Sequence, residues 1–286
     1  MSASDRLRGL IGKERLHVMP CCFDALSAKL IERAGFELTF MSGFAVSAAR
    51  LALPDTGLIS YGEMVDQGRE ICGAISIPVI GDADTGYGNA LNVKRTVRGY
   101  AGAGFACAMI EDQLAPKRCG HTRGKDVVER AEALARVRAA VDAREEGADI
   151  LVMARTDARA PLGLDEALWR AKAFADLGAD LIFVEAPANE AEMEQSCRAV
   201  AVPSMANMVE GGDTPVLPPK QLEALGYRIA AYPLTLLSAA TRAMSEALEA
   251  LRRGETPEGL LPFETLRELV GFDAYDRERA RYSDDG

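Results

Sequence analysis

The chain has 286 residues, of which 48% are hydrophobic, and its formal net charge at pH 7 is −10. This hydrophobic content is enough for a sizeable core, whereas the acidic balance disfavours binding to nucleic acids or anionic membranes. No stretch approaches the ~18 apolar residues of a membrane span. The six cysteines show no C-x-x-C spacing, which is typical of buried thiols in a reducing compartment, and we expect a cytoplasmic protein.

Short apolar runs recur along the chain and alternate with segments of helical length. The runs are residues 17–21, 37–43, 77–84, 106–112, 149–157, 181–186, 203–209 and 227–233. Continuous apolar runs are typical of parallel strands that are buried on both faces. Amphipathic patterns at 23–35 and 164–178 predict helices between them. Several helices end in a glycine just before the next run, so the sequence predicts a (β/α)8 barrel of the TIM type.

The residues from about 234 onwards have helical patterns and exceed what a minimal barrel needs. We therefore expect one barrel domain over residues 1–286, with a carboxyl-terminal helical extension from about 234. A doubly wound open sheet is the alternative architecture. Such a sheet usually has a glycine-rich fingerprint after its first strand, and residues 19–29 (MPCCFDALSAK) contain no glycine.

Polar residues gather where the predicted strands end. They are Ser42, Gly43, Asp82, Asp84, Glu111, Asp112, Arg155, Asp157, Glu185 and Asn207. In a barrel enzyme the catalytic residues lie at these ends. A single residue of this kind can simply cap a helix, as Asp112 and Asp157 could, but the whole set predicts an active site.

Asp82 and Asp84 form an Asp-x-Asp pair at the end of the third predicted strand. Residues i and i+2 of a strand point to the same side, so both carboxylates are expected to face the barrel mouth. Such close like charges need a cation or a shared proton. With Glu111 as a third oxygen ligand and no histidine nearby, the set favours Mg²⁺, or Mn²⁺, over zinc. The alternative is a turn without a metal.

Three other features have both a catalytic and an ordinary explanation. Arg155 offers a planar fork for a carboxylate or phosphate, but could be part of a buried ion pair. Ser42 and Gly43 could present backbone N–H groups to an oxyanion. Cys119 lies in a basic loop, where positive charge lowers the pKa of a thiol, although a lone cysteine in such a loop is often incidental.

Five segments together resemble the isocitrate lyase/phosphoenolpyruvate mutase superfamily, and the resemblance covers nearly the whole chain. They are DADTGYGN (82–89), IEDQ (110–113), KRCGH (117–121), MARTDA (153–158) and FVEAPAN (183–189). KRCGH indicates the lyase-like branches, because the phosphonate mutases and hydrolases mostly have an asparagine-containing loop there. Other phrases, such as SGFAVSAARLALPDTGL (42–58), are most similar to the petal death protein type, whose members are oxaloacetate hydrolases and 2-alkylmalate lyases.

The resemblance implies Mg²⁺ as cofactor and a homotetramer built as a dimer of helix-swapped dimers. It assigns the metal to Asp82, Asp84 and Glu111, and catalytic or orienting roles to Asp55, Cys119, Arg155 and Glu185. The implied substrate-binding residues are Ser42, Gly43, Phe44, Gly120, His121, Arg155, Glu185 and Asn207. Cys119 and Gly120 would belong to a gating loop that closes over the site.

Two positions depart from the methylisocitrate lyases of this superfamily. Phe44 stands where those enzymes have a second glycine, and Ser238 stands where they have an arginine that binds an additional carboxylate. Without that cation, a tricarboxylate would leave one charge unpaired near the pocket, which is costly. These differences favour a smaller dicarboxylate.

The sequence therefore predicts a Mg²⁺-dependent lyase that cleaves a 2-hydroxy-dicarboxylate of the 2-alkylmalate or 2,3-dimethylmalate type by retro-aldol chemistry. Cys119 is the expected general acid. The first alternative is an oxaloacetate acetylhydrolase, which forms oxalate and acetate. Methylisocitrate lyase, carboxyphosphonoenolpyruvate mutase and a non-catalytic barrel that binds keto acids are further alternatives. A non-catalytic barrel is expected to have lost a metal ligand or the catalytic acid. The sequence nevertheless contains all of these residues, namely Asp82, Asp84, Glu111, Arg155 and Cys119.

Overall fold

The computed structural model describes residues 1–119, 124 and 126–283. Eight parallel strands form one sheet in the order β6-β5-β4-β3-β2-β1-β8-β7. Their bounds are β1 His17–Cys22, β2 Thr39–Met41, β3 Val79–Asp82, β4 Cys107–Glu111, β5 Leu151–Thr156, β6 Leu181–Val184, β7 Met205–Asn207 and β8 Ile229–Tyr232.

The two ends of this sheet meet, because Ile182 on β6 forms a parallel bridge with Ser204, next to β7. The N–H group of Ile182 donates to the carbonyl oxygen of Pro203 at 3.0 Å. Seven of the eight strands lie within the predicted apolar runs, and β1 extends one residue beyond its run, to Cys22. The prediction of a (β/α)8 barrel is confirmed, and the alternative of a doubly wound open sheet is wrong.

Helices precede and follow the strands along the chain. They are α1 Ala3–Ile11, α2 Ala25–Arg33, α3 Gly43–Val46, α4 Tyr61–Ala74, α5 Ala90–Ala103, α6 Arg130–Glu145, α7 Arg159–Leu162, α8 Leu164–Asp176, α9 Glu190–Arg198, α10 Pro219–Leu225, α11 Thr235–Arg252, α12 Phe263–Val270 and α13 Phe272–Ala280, with a π-helical turn at Ser47–Leu51. The helices predicted at 23–35 and 164–178 are confirmed as α2 and α8. Gly104 ends α5 at a φ of 99°, a left-handed conformation that favours glycine.

The barrel interior is filled by a packed apolar core. Met19, Phe40 and Met109 fill its centre, and Leu7 and Ile11 of α1 join this core at the amino-terminal ends of the strands. Side chains of the surrounding helices pack against the outer face of the strands as a second layer. The space that remains inside the barrel lies at the carboxyl-terminal ends of the strands.

The chain divides into two compact units, Met1–Leu237 and Ser238–Gly286. The second unit contains most of α11 together with α12 and α13, in agreement with the helical pattern predicted from about 234. The assignment of all 286 residues to one domain and the exchange of a helix between subunits stay predictions. Within the described part of the chain, no helix has the length and apolar character needed to cross a membrane.

Candidate active site

A cavity of about 210 Å³ lies at the carboxyl-terminal ends of the strands. Eight of the predicted site residues line it, namely Ser42, Phe44, Asp55, Asp82, Cys119, Arg155, Glu185 and Asn207. Gly43, Asp84 and Glu111 each contact a residue that lines the cavity. Gly120 and His121 lie outside the described residues. The structure thus brings together residues that are up to 165 positions apart in the sequence, from Ser42 to Asn207.

Asp82 is the last residue of β3, and its carboxylate is fixed by backbone N–H groups. Gly43 donates to Asp82 Oδ2 at 3.2 Å, and Asp84 donates to Asp82 Oδ1 at 3.0 Å. A Cβ atom on Gly43 would lie 2.5 Å from Asp82 Oδ2, so this position requires glycine. Asp84 lies beyond the strand with a φ of 50°, and the expectation that Asp82 and Asp84 lie at positions i and i+2 of one strand is therefore wrong.

Two hydroxyl groups on α5 hold the turn that contains Asp84. The Tyr100 hydroxyl donates to the carbonyl oxygen of Asp82 at 2.6 Å, and Thr96 Oγ1 donates to the carbonyl oxygen of Gly86 at 3.1 Å. A left-handed conformation at a residue with a side chain costs free energy and persists only where its surroundings enforce it. These two hydrogen bonds lie on either side of Asp84 and hold its backbone in the left-handed conformation.

Lys117 is a buried cation in the middle of the acidic side chains. Its Nζ lies 2.6 Å from Asp55 Oδ1 and 2.7 Å from Asp84 Oδ1, and only 4% of its surface is exposed. Burial alone lowers the pKa of Lys117, but the nearby carboxylates of Asp84, Asp82 and Glu111 more than compensate and raise that pKa well above its usual value. Sequence reasoning treated this lysine only as a neighbour of the reactive cysteine and missed its place in the site.

The acidic side chains outnumber the cation that they surround. Burial raises the pKa of Asp84 to about 6, against the opposing effect of Lys117. Burial also raises the pKa of Glu111 well above its usual range, and among the described residues Glu111 Oε1 has no hydrogen-bond partner. Four buried carboxylates, including Asp55 and Asp82, therefore share a region with one ammonium group.

The predicted metal ligands are close in the fold but not assembled as a finished site. Among the described residues, no group of three or more histidine, cysteine, aspartate or glutamate side chains is arranged to hold a metal ion. The donor chemistry nevertheless fits a hard divalent cation, since the region offers carboxylate oxygens in excess and one unpartnered oxygen on Glu111. Asp82, Asp84 and Glu111 would supply the protein oxygens.

Arg155 occupies the opposite part of the site and is paired with carboxylates through its Nε and Nη2 atoms. Its Nε and Nη2 atoms donate to the two oxygens of Asp157 at 2.8 and 2.9 Å, and Nη2 lies 3.0 Å from Glu185 Oε2. Its Nε also lies 3.4 Å from Glu111 Oε2, which joins the two parts of the site. The guanidinium carbon lies 5.1 Å from the centre of the Phe183 ring.

Asp157 and Asp112 belong to one buried network. The N–H group of Asp157 donates to Asp112 Oδ1 at 2.9 Å. Asp112 Oδ2 accepts from the Thr156 hydroxyl at 2.7 Å and from Arg170 Nη1 at 3.0 Å. The interpretation of both aspartates as helix caps is therefore wrong, because they fix the end of β5 and, through it, Arg155.

Glu185 directly follows β6, where a strained backbone aims its carboxylate. Ala186 has a φ of 57°, and its N–H group donates to Glu185 Oε1 at 3.1 Å. Asn207 Nδ2 lies 3.4 Å from Glu185 Oε2, at the end of β7. Arg155, Glu185 and Asn207 thus form a row across three consecutive strands.

Ser42 and Phe44 form the edge of the cavity after β2. Ser42 Oγ accepts from the N–H group of Ala45 at 3.3 Å and caps α3, while Phe44 is half-buried and lines the cavity. Ser238, which the sequence comparison with methylisocitrate lyases singled out, is the first residue of the second compact unit.

An acid-rich cavity at the carboxyl-terminal ends of the strands of a (β/α)8 barrel defines the chain as a barrel enzyme. The family model described as phosphoenolpyruvate phosphomutase matches residues 7–252, and the chain belongs to this family. The predicted membership of the isocitrate lyase/phosphoenolpyruvate mutase superfamily is confirmed.

Two curated relatives are similar over most of their length. The chain is 43% identical to 2,3-dimethylmalate lyase of Eubacterium barkeri over 277 residues, which cover 96% of each chain. It is 39% identical to the petal death protein of Dianthus caryophyllus over 270 residues, which cover 93% of this chain and 85% of the relative.

Solved structures show the same fold at similar identity. An oxaloacetate acetylhydrolase in complex with the inhibitor 3,3-difluorooxalacetate has a TM-score of 0.93 at 35% identity, covering 100% of this chain and 99% of the other. A phosphonopyruvate hydrolase in complex with oxalate and Mg²⁺ has a TM-score of 0.87 at 31% identity, covering 99% of both chains.

Proposed function

We propose that this chain is a carbon–carbon lyase that cleaves a 2-alkylmalate, of the 2,3-dimethylmalate type, into a 2-oxo acid and a carboxylate. One observation carries the proposal: a single cavity is lined by a thiol, a carboxylate and an arginine–glutamate pair, namely Cys119, Asp55 and Arg155 with Glu185. The similarity to 2,3-dimethylmalate lyase supports this choice of substrate.

We propose Mg²⁺ as the cofactor, with Mn²⁺ as a substitute, held by Asp82, Asp84 and Glu111. When bound, the cation supplies positive charge that stabilises the oxygen anions of the substrate. The surplus of buried carboxylates supports this assignment, and so does the related hydrolase that was solved with oxalate and Mg²⁺.

Substrate binding and the two proton transfers are assigned to side chains of this chain. Arg155, oriented by Glu185 and beside Asn207, binds and aligns a substrate carboxylate. Asp55 lines the cavity beside the ammonium group of Lys117, and in this proposal it accepts the proton of the 2-hydroxyl group. The C2–C3 bond then breaks, C2 becomes a carbonyl carbon, and the electron pair passes to C3 and its carboxylate. Cys119 donates a proton to C3, which balances the proton taken from the hydroxyl group.

Part of the cavity wall is apolar and suits alkyl substituents. Phe44, Val209, Pro233 and Leu234 line the cavity together with the charged residues. An apolar wall favours a methyl-substituted substrate, because a carboxylate buried against these apolar side chains would be costly. This wall supports a substituted malate over methylisocitrate as the substrate. That Ser238, in place of an arginine, also disfavours methylisocitrate stays a prediction.

Hydrolysis of oxaloacetate to oxalate and acetate is the second candidate. The similarity in fold and sequence to an oxaloacetate acetylhydrolase, with a TM-score of 0.93 and 35% identity, supports it as a candidate. The same acids and arginine would serve that reaction, with water as the nucleophile. The products separate the two functions, because the lyase forms pyruvate from a 2-methyl substrate and the hydrolase forms oxalate.

The substitution Cys119→Ser tests the proposed lyase directly. Removal of a general acid typically costs about 10²- to 10⁴-fold in kcat, and we expect a loss in this range with unchanged binding of Mg²⁺. Cys197→Ser is the matched control, since Cys197 is a half-buried cysteine that does not line the cavity. Near-normal turnover by Cys119→Ser would refute the role of this thiol.

We further propose that the enzyme acts in the cytoplasm as a homotetramer of helix-swapped dimers. Cys21, Cys22 and Cys107 are buried thiols without a disulfide among the described residues, which supports a reducing compartment. Light scattering coupled to size-exclusion chromatography tests the tetramer, and a monomer mass of 30.7 kDa would contradict it.

A further inference from the structure

Gln113 lies two residues beyond β4, and its side-chain amide forms two hydrogen bonds with the backbone of one residue, Arg118. Its Nε2 donates to the carbonyl oxygen of Arg118 at 2.8 Å, and its Oε1 accepts from the N–H group of Arg118 at 2.9 Å. Only 1% of Gln113 is exposed. A buried glutamine needs such partners, because an unpaired buried amide is costly.

The backbone of Gln113 is itself anchored to the barrel. Arg136, a buried residue of α6, donates from Nη1 to the carbonyl oxygens of Gln113 at 2.8 Å and of Glu111 at 3.3 Å. Gln113 also forms an antiparallel bridge with Val127. The amide that holds Arg118 is therefore attached to the rigid end of β4.

Arg118 lies between two residues that reach the cavity. On one side Lys117 makes ion pairs with Asp55 and Asp84, and on the other side Cys119 lines the cavity. Lys117 is held by the ion pairs of its side chain, whereas Gln113 holds the backbone next to Cys119. Fixing both the N–H and the C=O group of Arg118 leaves the following residue little freedom of direction.

We propose that Gln113 is the positioning residue that sets Cys119 against the substrate, an inference that rests on the proposed function of Cys119 as the acid. Only a side-chain amide offers a donor and an acceptor at this reach. Glutamate would lack the donor and bury a charge, and asparagine is one methylene group shorter. The residue touches neither the substrate nor the cofactor in this role.

The substitution Gln113→Met keeps the length and apolar volume of the side chain but removes both hydrogen bonds. Two hydrogen bonds of ordinary strength correspond to about a five- to hundredfold change in the population of the fixed segment. We expect kcat to fall by about this factor while KM stays within about threefold. Gln221→Met is the matched control, because Gln221 is bonded through its amide to Glu190 on the surface.

A second measurement uses the thiols and needs no turnover. Alkylation by iodoacetamide, followed by peptide mass mapping, gives a separate rate for each cysteine. In Gln113→Met we expect faster alkylation of Cys119, by about five- to hundredfold, with unchanged rates at the half-buried Cys72 and Cys197. An unchanged rate at Cys119, an equal increase at all three cysteines, or an unchanged kcat would overturn the proposal.

The two ideas fail in different ways. If Cys119→Ser retained normal turnover, the assignment of the acid would be wrong, yet faster alkylation of Cys119 in Gln113→Met would still show that Gln113 fixes this segment. If Cys119→Ser were inactive and Gln113→Met behaved as the Gln221→Met control does, the proposed function would stand and the role of Gln113 would be refuted.

Discussion

Two clusters of buried charge meet in the cavity, and they are built differently. The arginine cluster, Arg155 with Asp157 and Glu185, comes from the ends of β5 and β6 and is tied to a second network at Asp112. The lysine cluster, Lys117 with Asp55 and Asp84, joins three loops through one flexible ammonium group. Each cluster has two carboxylates for one cation, but the first is a fixed scaffold, whereas the second includes Asp84, to which we assign a role in metal binding.

This difference follows from how buried charges are stabilised. A buried carboxylate needs a partner in fixed geometry, and a planar guanidinium that binds two oxygens at once supplies it. An ammonium group is a compact charge that other cations can replace. We therefore expect the arginine cluster to depend on its own residues alone and the lysine cluster to respond to Mg²⁺.

The largest expected effect is on the arginine cluster. Arg155→Met would leave the carboxylates of Glu111, Asp157 and Glu185 without their shared cation, which should lower the free energy of unfolding by about 3–5 kcal/mol. Urea denaturation measures this loss. Arg159→Met is the control, because its pair with Glu192 is partly solvated and is expected to contribute at most about 1 kcal/mol. If both variants lost the same free energy of unfolding, the arginine cluster would be no more important for stability than a surface ion pair.

The next effect is the stabilisation that the metal confers. Mg²⁺ at about 100 times its Kd should raise the free energy of unfolding by about 2.7 kcal/mol, since it binds only the folded chain. Thermal unfolding with and without MgCl2 measures the gain. Asp82→Asn should abolish it, whereas Asp66→Asn, at an exposed surface pair, should leave it intact. A gain that survives in Asp82→Asn would place the metal elsewhere.

The smallest expected effect is on the lysine cluster. Lys117→Met removes the cation between Asp55 and Asp84 and should cost about 2 kcal/mol in the absence of metal. Mg²⁺ should recover most of this loss but none of the loss in Arg155→Met. If Mg²⁺ rescued both variants equally, or neither, the two clusters would not differ as described.

The barrel could be predicted from the sequence because each strand is a separate apolar run that ends in polar residues. The positions of Asp82, Glu111, Arg155 and Glu185 followed from the same pattern, since parallel strands bring their carboxyl-terminal ends together. An apolar run that ends in polar residues is visible in the local sequence, and each such run forms a strand of the barrel.

The details of the site depend on contacts that no local pattern contains. Asp84 was expected on a strand, but hydroxyl groups of α5 hold it in a left-handed turn. The sequence leaves a helix cap open for Asp112, because its partner Arg170 lies 58 residues away and no local pattern indicates that pair. Lys117 is paired with Asp55 and Asp84, which lie 62 and 33 positions away in the sequence, and no local pattern indicates these pairs. Gln113 binds the backbone of Arg118, and a buried glutamine has no distinctive sequence pattern.

Product analysis with 2,3-dimethylmalate and Mg²⁺ tests the central claim most directly. The account predicts pyruvate and propionate in equal amounts, with one deuterium at C2 of propionate when the reaction is run in D2O, and cleavage by Cys119→Ser that is about 10²- to 10⁴-fold slower. The absence of pyruvate, together with release of oxalate and acetate from oxaloacetate by the same preparation, would contradict the lyase and establish the hydrolase in its place.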